Sequence, residues 1–322
     1  MHDIIIIGGG PTGINCAIEA KKAGFDYVIL EKGVLVNSIF NFPANMTFFS
    51  TSLKLEIGDT PFISHTDKPT RREALEYYRR LLENFDLNIE FDTEVKSMAR
   101  SDSRYIVATG GKTYEAKYVV IATGFYDHPN LINVPGEDLP KVKHFYDEVH
   151  HYIRKKVLVV GGANSACDVA LECWQKGADV TMAIRGPKLY KRVKYWILPN
   201  IENRIKEESI KAHFNTTIKE IKPTSVILST PDGDIEIEND FVLAMTGYSP
   251  NYQLLTNLGI EISDDKFRTP NVHEDSLETN QPSVFMAGVV NGGLKTNKYF
   301  IENTRDHAER IVKEIELRES IA

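Results

Sequence analysis

Cysteine is scarce in this chain of 322 residues. The three cysteines, Cys16, Cys167 and Cys173, are odd in number and stand in segments of helical character, so a disulfide framework is not expected. Cys167 and Cys173 are six residues apart on one predicted helix and therefore point to different faces. The sequence also contains no Cys-x-x-Cys pair, the spacing typical of a redox-active dithiol.

Long apolar runs and basic tracts are missing as well. The first apolar run, residues 4–7, ends at Gly8 and is too short for a signal peptide, and no stretch approaches the roughly 20 apolar residues of a membrane span. The formal net charge is −7 and no basic tract stands out, which argues against a nucleic-acid partner. His150 and His151 have no cysteine or carboxylate at ligand spacing, so no metal site is predicted. We therefore expect a cytoplasmic protein that binds neither membranes nor nucleic acid.

Two glycine-rich turns carry most of the information that is present. They read IIIIGGGPTG at 4–13 and VLVVGGANSA at 157–166. In each, an apolar run precedes a glycine turn and a helix-like segment, an arrangement that lets main-chain N–H groups and a helix N-terminus bind pyrophosphate. Two such turns predict two dinucleotides and a route for electrons between them.

The first turn fits the G-x-G-x-x-G spacing with Gly8, Gly10 and Gly13. These glycines allow the tight turn, the approach of phosphate and the close packing of helix on strand, respectively. Pro11 suits the first helical position. Glu31 ends the second predicted strand, where a carboxylate can accept hydrogen bonds from the ribose hydroxyls of an adenosine.

The second turn is followed by cations instead of an acid. Its small residues are followed by a helix and by a predicted strand at 179–184, which ends in Arg185. Lys188, Lys191 and Arg192 come next. A cation at this place suits a ribose 2′-phosphate and so favours NADP over NAD, whereas the alternative is a solvated basic loop.

Two further strands mark where the chain crosses between domains. Residues 118–122 lead to Thr123 and Gly124, and residues 241–245 lead to Thr246 and Gly247; a glycine there permits a sharp change of backbone direction beside a cofactor. The predicted fold class is α/β, with two Rossmann-like, three-layer dinucleotide-binding domains. The second domain, residues 121–247, is inserted into the first, residues 1–120 plus 248–322.

An aromatic segment lies between the first turn and these crossings. Residues 38–62 combine Phe40, Phe42, Phe48 and Phe49 with several amide and hydroxyl side chains. Such a mixture can line a flavin ring. It is equally typical of a small hydrophobic cluster under a loop.

With these motifs in hand, the chain resembles the low-molecular-weight thioredoxin-reductase-like flavoproteins, through GGGPTG, GGANSA, ATG at 122–124 and MAGVVNGG at 286–293. Within that group it is most similar to the bacillithiol disulfide reductase (YpdA) family. The segments that carry this closer resemblance are 38–50, 57–62, 139–148, 195–200, 244–250 and 299–303. The resemblance implies FAD in the outer domain, NADPH in the inserted one, a homo-oligomer, and reduction of a disulfide of bacillithiol, a small cytosolic thiol.

The resemblance also implies where each cofactor binds. It places FAD on Gly8, Gly10, Gly13, Glu31, the segment from Asn41 to Phe49, Gly288 and Val289. It places NADPH on Gly161, Gly162, Asn164, Ser165 and Arg185. The full set of predicted cofactor-binding residues adds Pro11, Thr12, Lys32, Thr47, Phe48, Thr123, Gly124 and Lys188. No catalytic acid, base or nucleophile is assigned.

The sequence departs from its relatives at two places. Thioredoxin reductases carry a Cys-x-x-Cys where residues 144–148 here contain no sulfur, so thioredoxin reduction through an internal dithiol is excluded. Bacillithiol disulfide reductases resemble GGGPCG in the first turn, and Thr12 replaces that cysteine; a hydroxyl cannot attack a disulfide. Cys16, one helical turn later, is either a small packing residue or a substitute thiol.

The predicted function is an NADPH-dependent FAD oxidoreductase that reduces a low-molecular-weight disulfide such as bacillithiol disulfide. Its partner is then a small-molecule disulfide or a small redox protein. Electron transfer to ferredoxin or flavodoxin is the main alternative. Flavin monooxygenation fits less well, because residues 136–144 do not match the F-x-G-x-x-x-H spacing of those enzymes, and a non-catalytic redox sensor is the fourth possibility.

Overall fold

The structure is a computed structural model that describes residues 1–321. The elements of the N-terminal part are β1 (His2–Ile7), α1 (Pro11–Lys22), β2 (Tyr27–Leu30), α2 (Asn37–Phe40), α3 (Ser52–Leu55), α4 (Arg71–Asn84), β3 (Ile89–Glu90), β4 (Val95–Ser101), β5 (Arg104–Thr109) and β6 (Thr113–Ile121). The middle part contains β7 (Val142–Lys143), β8 (Lys156–Val160), α5 (Asn164–Gln175), β9 (Asp179–Ile184), α6 (Leu198–Lys206), β10 (Lys211–Phe214), β11 (Thr217–Ile221), β12 (Ser225–Thr230), β13 (Gly233–Glu238) and β14 (Phe241–Ala244). The C-terminal part contains α7 (Tyr252–Asn257), β15 (Val284–Met286) and α8 (Asp306–Ile321).

The chain forms two compact units. The first comprises Met1–His128 together with the chain from Tyr248 onward, and the second comprises Pro129–Gly247. The first boundary therefore lies after residue 128 and not at the predicted residue 121. The reason is that the segment after β6 stays with the first sheet: Ala122 donates its N–H to the carbonyl of Ile7 at 2.9 Å.

The first unit is built on a parallel sheet. Strands β3, β2, β1, β6 and β15 are parallel neighbours in that order, and β4 and β5 extend the sheet as an antiparallel ribbon from the N-terminal half of β6. Ile4 and Ile6 face a core that includes α1 and α8, whereas Ile5 and Ile7 face a second core that includes α7. Burial of both faces explains why β1 is apolar at every position from 4 to 7.

The second unit repeats the parallel arrangement. Its sheet has the order β10-β9-β8-β14-β7 with all pairs parallel, and β11, β12 and β13 form a separate antiparallel sheet. Val157 and Val159 pack in one core with residues of α5, while Leu158 packs in another with Val226 and Leu228 of β12. An α/β fold with Rossmann-like parallel sheets is thus confirmed.

No helix within residues 1–321 is long and apolar enough to cross a bilayer. Within the same residues, no three His, Cys, Asp or Glu side chains gather as ligands for a metal ion.

Candidate functional site

The first glycine turn joins β1 to α1 in a shape that only glycine allows. Gly8 has φ +109°, and a Cβ there would lie 2.6 Å from the carbonyl oxygen of Ala122. A Cβ on Gly13 would lie 1.9 Å from the carbonyl oxygen of Gly8, so this glycine lets the helix pack against the turn. Gly10 differs, because no described heavy atom beyond its chain neighbours comes within 4 Å of a Cβ built there. The turn therefore leaves open space beside Gly10, in which a ligand can approach the backbone.

Helix α1 presents its N-terminus to that space. Gly10 is the N-cap, Pro11 begins the helix, and within the described residues no side chain caps it. The N–H groups of a first helical turn have no partner inside the helix and carry a partial positive charge. This helix end can therefore bind an anionic group such as a pyrophosphate.

Glu31 closes the turn from the end of β2. Its side chain is buried, with 5% exposed, and Oε2 accepts the N–H of Gly9 at 2.6 Å while Oε1 accepts that of Gly33 at 2.9 Å. Burial raises the pKa of this carboxyl, and the two N–H donors oppose the rise. The sequence predicts that Glu31 binds a ribose; in the structure its two carboxylate oxygens accept N–H groups from the glycine turn and from the segment after β2.

A cavity of about 310 Å³ runs from this turn along the carboxyl ends of the strands of the first unit. The predicted residues that line it are Gly8, Gly10, Pro11, Thr12, Glu31, Lys32, Phe48, Phe49, Thr123, Gly124 and Val289. Lys32 forms an ion pair with Asp127, another lining residue, with Nζ and Oδ2 2.9 Å apart. Eleven residues predicted separately along the chain thus surround one space.

Four other residues predicted for the first cofactor are not part of the cavity lining. Gly13 packs against the turn, and Gly288 lies behind Thr12, since a Cβ on Gly288 would be 2.7 Å from Oγ1 of Thr12. Asn41 donates from Nδ2 to the carbonyl of Asn37, and Thr47 forms an isolated antiparallel bridge with Thr70. The structure therefore places these four predicted residues outside the lining of the cavity.

Aromatic rings form one side of the cavity. Phe42 and Tyr126 meet edge to face with centroids 4.7 Å apart, and Tyr126 lies 4.4 Å from Tyr248. Phe48 is buried in the first core and also lines the cavity. The aromatic segment can therefore be both a hydrophobic cluster and part of a cavity wall. Tyr126 was not predicted; its only sequence signal is its place two residues after Gly124.

A buried histidine, also not predicted, contacts a residue that lines the cavity. His307 of α8 is 3% exposed, and its Nδ1 accepts the N–H of Gly288 at 3.1 Å. Burial lowers the pKa of His307 to about 4, so the ring is neutral and carries its proton on Nε2. Its ring packs edge to face on Tyr299, a cavity residue, at 5.7 Å. Nothing in the sequence of a terminal amphipathic helix indicated this contact.

The second glycine turn joins β8 to α5 in the second unit. Gly161 has φ +134°, and a Cβ there would lie 2.6 Å from the carbonyl oxygen of Met245. A Cβ on Gly162 would lie 2.9 Å from Cγ2 of Ile184. Asn164 and Ser165 begin α5. The turn therefore has the same close strand–helix packing as the first.

The cations predicted for a phosphate lie on a loop that is tied to this turn. Arg185 and Lys188 are exposed and follow β9. Tyr190 donates its N–H to the carbonyl of Gly162 at 2.8 Å, and Oδ1 of Asn164 accepts the N–H of Lys194 at 2.9 Å. The side chain of Asn164 thus fixes the basic loop beside the turn, a role that the sequence did not reveal.

All three cysteines are buried. Cys16 is 1% exposed, and Cys167 and Cys173 are 0% exposed. Burial raises the pKa of each thiol to about 12. Cys16 packs in the first core and is not a lining residue of the cavity. The geometry therefore favours a packing role for Cys16 over a role as a substitute thiol.

Comparison with known proteins agrees with this geometry. A sequence profile described as pyridine nucleotide-disulphide oxidoreductase matches residues 5–288. Bacilliredoxin reductase Bdr of Bacillus subtilis (strain 168) is 43% identical over 318 residues, which cover 98% of each protein. Solved structures of bacillithiol disulfide reductase Bdr (YpdA) from Staphylococcus aureus and Bacillus cereus are 39% and 41% identical, with TM-scores of 0.95 and 0.96. Those matches cover 98% of this chain and 98% and 99% of the respective structures.

Thioredoxin reductase from Lactococcus lactis, at 22% identity and a TM-score of 0.76 over 98% of this chain and 97% of its own, shares the fold. The predicted enzyme class, an oxidoreductase that uses FAD and NADPH, is confirmed at the level of the family. The chain belongs to the pyridine nucleotide-disulphide oxidoreductase family and, within it, to the bacillithiol disulfide reductase (Bdr, YpdA) group.

Proposed function

We propose that this enzyme passes electrons from NADPH through FAD to a low-molecular-weight disulfide, with bacillithiol disulfide as the first candidate. The observation that carries the proposal is the 43% identity to Bacilliredoxin reductase Bdr across 98% of both proteins. FAD, when bound, supplies the chemistry by accepting a hydride and releasing an electron pair. The chain itself binds and orients the two cofactors.

The first unit has the features that FAD requires. The open space beside Gly10 and the uncapped N-terminus of α1 suit the pyrophosphate. Glu31 lines the same cavity and suits the ribose of the adenosine, and the rings of Phe42, Phe48 and Tyr126 offer an apolar wall for a planar ring system. We assign FAD to this unit.

The second unit has the features that NADPH requires. The glycines of its turn let a pyrophosphate approach the N-terminus of α5. Arg185 and Lys188 lie on the loop held against that turn, where two cations suit a 2′-phosphate. We assign NADPH to this unit, inserted between the two segments of the FAD unit. Cytosolic localisation and a homo-oligomer remain predictions from the sequence.

A redox protein is the second candidate acceptor. Of the described residues, no cysteine lines the cavity, and a ferredoxin-type acceptor needs none. A ferredoxin–NADP reductase of Ignicoccus hospitalis is a more distant relative, 23% identical over 300 residues. This alternative predicts that ferredoxin reoxidises the reduced flavin faster than any of the disulfides does.

Anaerobic rapid mixing tests both candidates. NADPH should bleach the flavin absorbance of the purified holoenzyme, and bacillithiol disulfide should restore it within the turnover time. Oxidised glutathione and cystine serve as size and charge controls, and ferredoxin with cytochrome as the protein arm. If NADPH bleaches the flavin but no disulfide speeds its reoxidation, disulfide reduction is not the function. If ferredoxin alone restores the absorbance, the second candidate replaces the first.

A further inference from the structure

The three cysteines of this chain are buried, and none of them lines the cavity. We infer that no cysteine of this chain takes part in electron transfer, so that an acceptor disulfide must itself reach the FAD cavity. This inference deepens the proposed function and rests on it only for the identity of the acceptor. Whether a cysteine carries the electron pair can be measured with or without a disulfide acceptor.

Cys16 is the cysteine nearest in sequence to the cavity. It lies one helical turn after Thr12, yet Thr12 lines the cavity and Cys16 does not. Cys16 belongs to the hydrophobic core of the first unit, which also contains Ile4 of β1 and residues of α8. Because only 1% of the residue is exposed, an external disulfide cannot reach its sulfur in this fold.

Cys167 and Cys173 are equally inaccessible. Both lie on α5 in the core of the second unit with no exposed surface. They are free thiols and form no disulfide with each other. Neither can therefore exchange with an external disulfide while the unit is folded.

Ionisation sets a second barrier. Only a thiolate attacks a disulfide, and burial raises the pKa of each of these thiols to about 12. At neutral pH each of these cysteines is therefore almost entirely in the thiol form. A thiol relay thus lacks both access and a nucleophile.

The overall reaction balances without a protein sulfur. One NADPH and one proton convert one disulfide into two thiols and NADP⁺. The S–S bond breaks and two S–H bonds form; the hydride of NADPH supplies the electron pair and one proton, and the second proton comes from solvent. The substrate class is then a disulfide small enough to enter the cavity beside Thr12, in preference to one shielded inside a folded protein.

Thiol labelling of the holoenzyme tests the inference. Native wild-type protein is treated with iodoacetamide before and after anaerobic reduction by NADPH, and its intact mass is recorded. We expect no added label in either state and consumption of one NADPH per FAD. A label on Cys16 that appears on reduction, or consumption of two NADPH per FAD, would overturn the inference whatever the acceptor.

Thr12→Cys is the positive control. It places a thiol on the cavity surface at the N-terminus of α1, where a thiolate is favoured. This variant should take up one label rapidly and, after acid quenching with bacillithiol disulfide, show a mixed-disulfide adduct. Under the same quench, wild type should show none; an adduct on wild-type Cys16 contradicts the inference.

Cysteine replacement provides the kinetic test. Cys16→Ala should keep the rate of flavin reoxidation within about twofold of wild type, because the thiol only packs. Cys173→Ala is the matched control for a buried cysteine lost from the other core. A fall of more than tenfold in Cys16→Ala alone, with unchanged flavin content, contradicts the inference. If wild type reduces no disulfide, the proposed function fails, and the labelling result still decides the route.

Discussion

The N–H of Gly288 donates to Nδ1 of His307 at 3.1 Å, and this bond joins the turn after β15 to the terminal helix α8. Gly288 has φ +84° and lies against Thr12, where no Cβ would fit. His307 also contacts Tyr299, which lines the cavity. The terminal helix therefore contacts, through His307, both the turn after β15 and a residue that lines the cavity proposed for FAD.

Replacing His307 should separate hydrogen bonding from packing. His307→Leu keeps an apolar side chain but leaves the N–H of Gly288 without an acceptor, so we expect a loss of about 1–3 kcal/mol in the free energy of unfolding and faster FAD release. His307→Asn offers an acceptor near the position of Nδ1 and should recover part of the loss. Urea unfolding and flavin retention on gel filtration measure both effects. Equal behaviour of the two variants would contradict the role of the bond.

The neutral state of His307 predicts a pH dependence. Its pKa falls from 6.5 to about 4 on folding, so between those values the unfolded chain binds more protons than the folded one. The contribution of His307 to stability is then complete above pH 6.5 and is lost as the pH falls toward about 4. As the pH falls through this window, the urea midpoint of wild type should approach that of His307→Asn. A constant difference across it would show that His307 does not titrate as described.

Two glycines of the first turn form a matched pair for mutation. Gly13→Ala should destabilise the protein by at least about 3 kcal/mol, because its Cβ would meet the carbonyl oxygen of Gly8 at 1.9 Å. Gly10→Ala meets no described atom and should cost less than about 1 kcal/mol in the apoprotein.

The same pair should differ in flavin binding. In Gly10→Ala the new methyl group fills the space assigned to the pyrophosphate, so FAD affinity should fall roughly 100-fold although the fold is kept. Circular dichroism of the apoproteins and fluorescence titration with FAD separate the two effects. Normal flavin content in Gly10→Ala would contradict the proposed placement of FAD.

Arg185 should decide the choice between NADPH and NADH. Arg185→Ala removes the cation that we propose binds the 2′-phosphate, which should raise KM for NADPH about 10- to 100-fold and leave that for NADH unchanged. Lys176→Ala, at the C-terminal end of α5, is a control with the same change of charge. Initial rates with both nucleotides give the result. A similar rise for both nucleotides, or for the control, would argue for a general effect of surface charge.

Local sequence patterns predict the strands and helices on either side of both glycine turns. The continuous apolar run of β1 and the strand at Tyr27–Leu30 were predictable because parallel strands buried on both faces are apolar at every position. The first domain boundary was less predictable, since a strand that ends in Thr-Gly does not reveal how far the chain follows the same sheet. Residues 122–128 stay with the first unit through backbone hydrogen bonds that carry no sequence signature.

By itself, the sequence determined the two nucleotide turns, the acid and the cations that follow them, and the absence of a dithiol, because these depend on residue type at short spacing. Only the tertiary structure decided that Cys16 is inaccessible, that His307 supports Gly288, and that Asn164 fixes the basic loop. The physical reason is that burial and long-range hydrogen bonds depend on which distant segments the fold brings together. A cysteine one helical turn from Thr12 is chemically available or inert according to the helix and sheet packed around it.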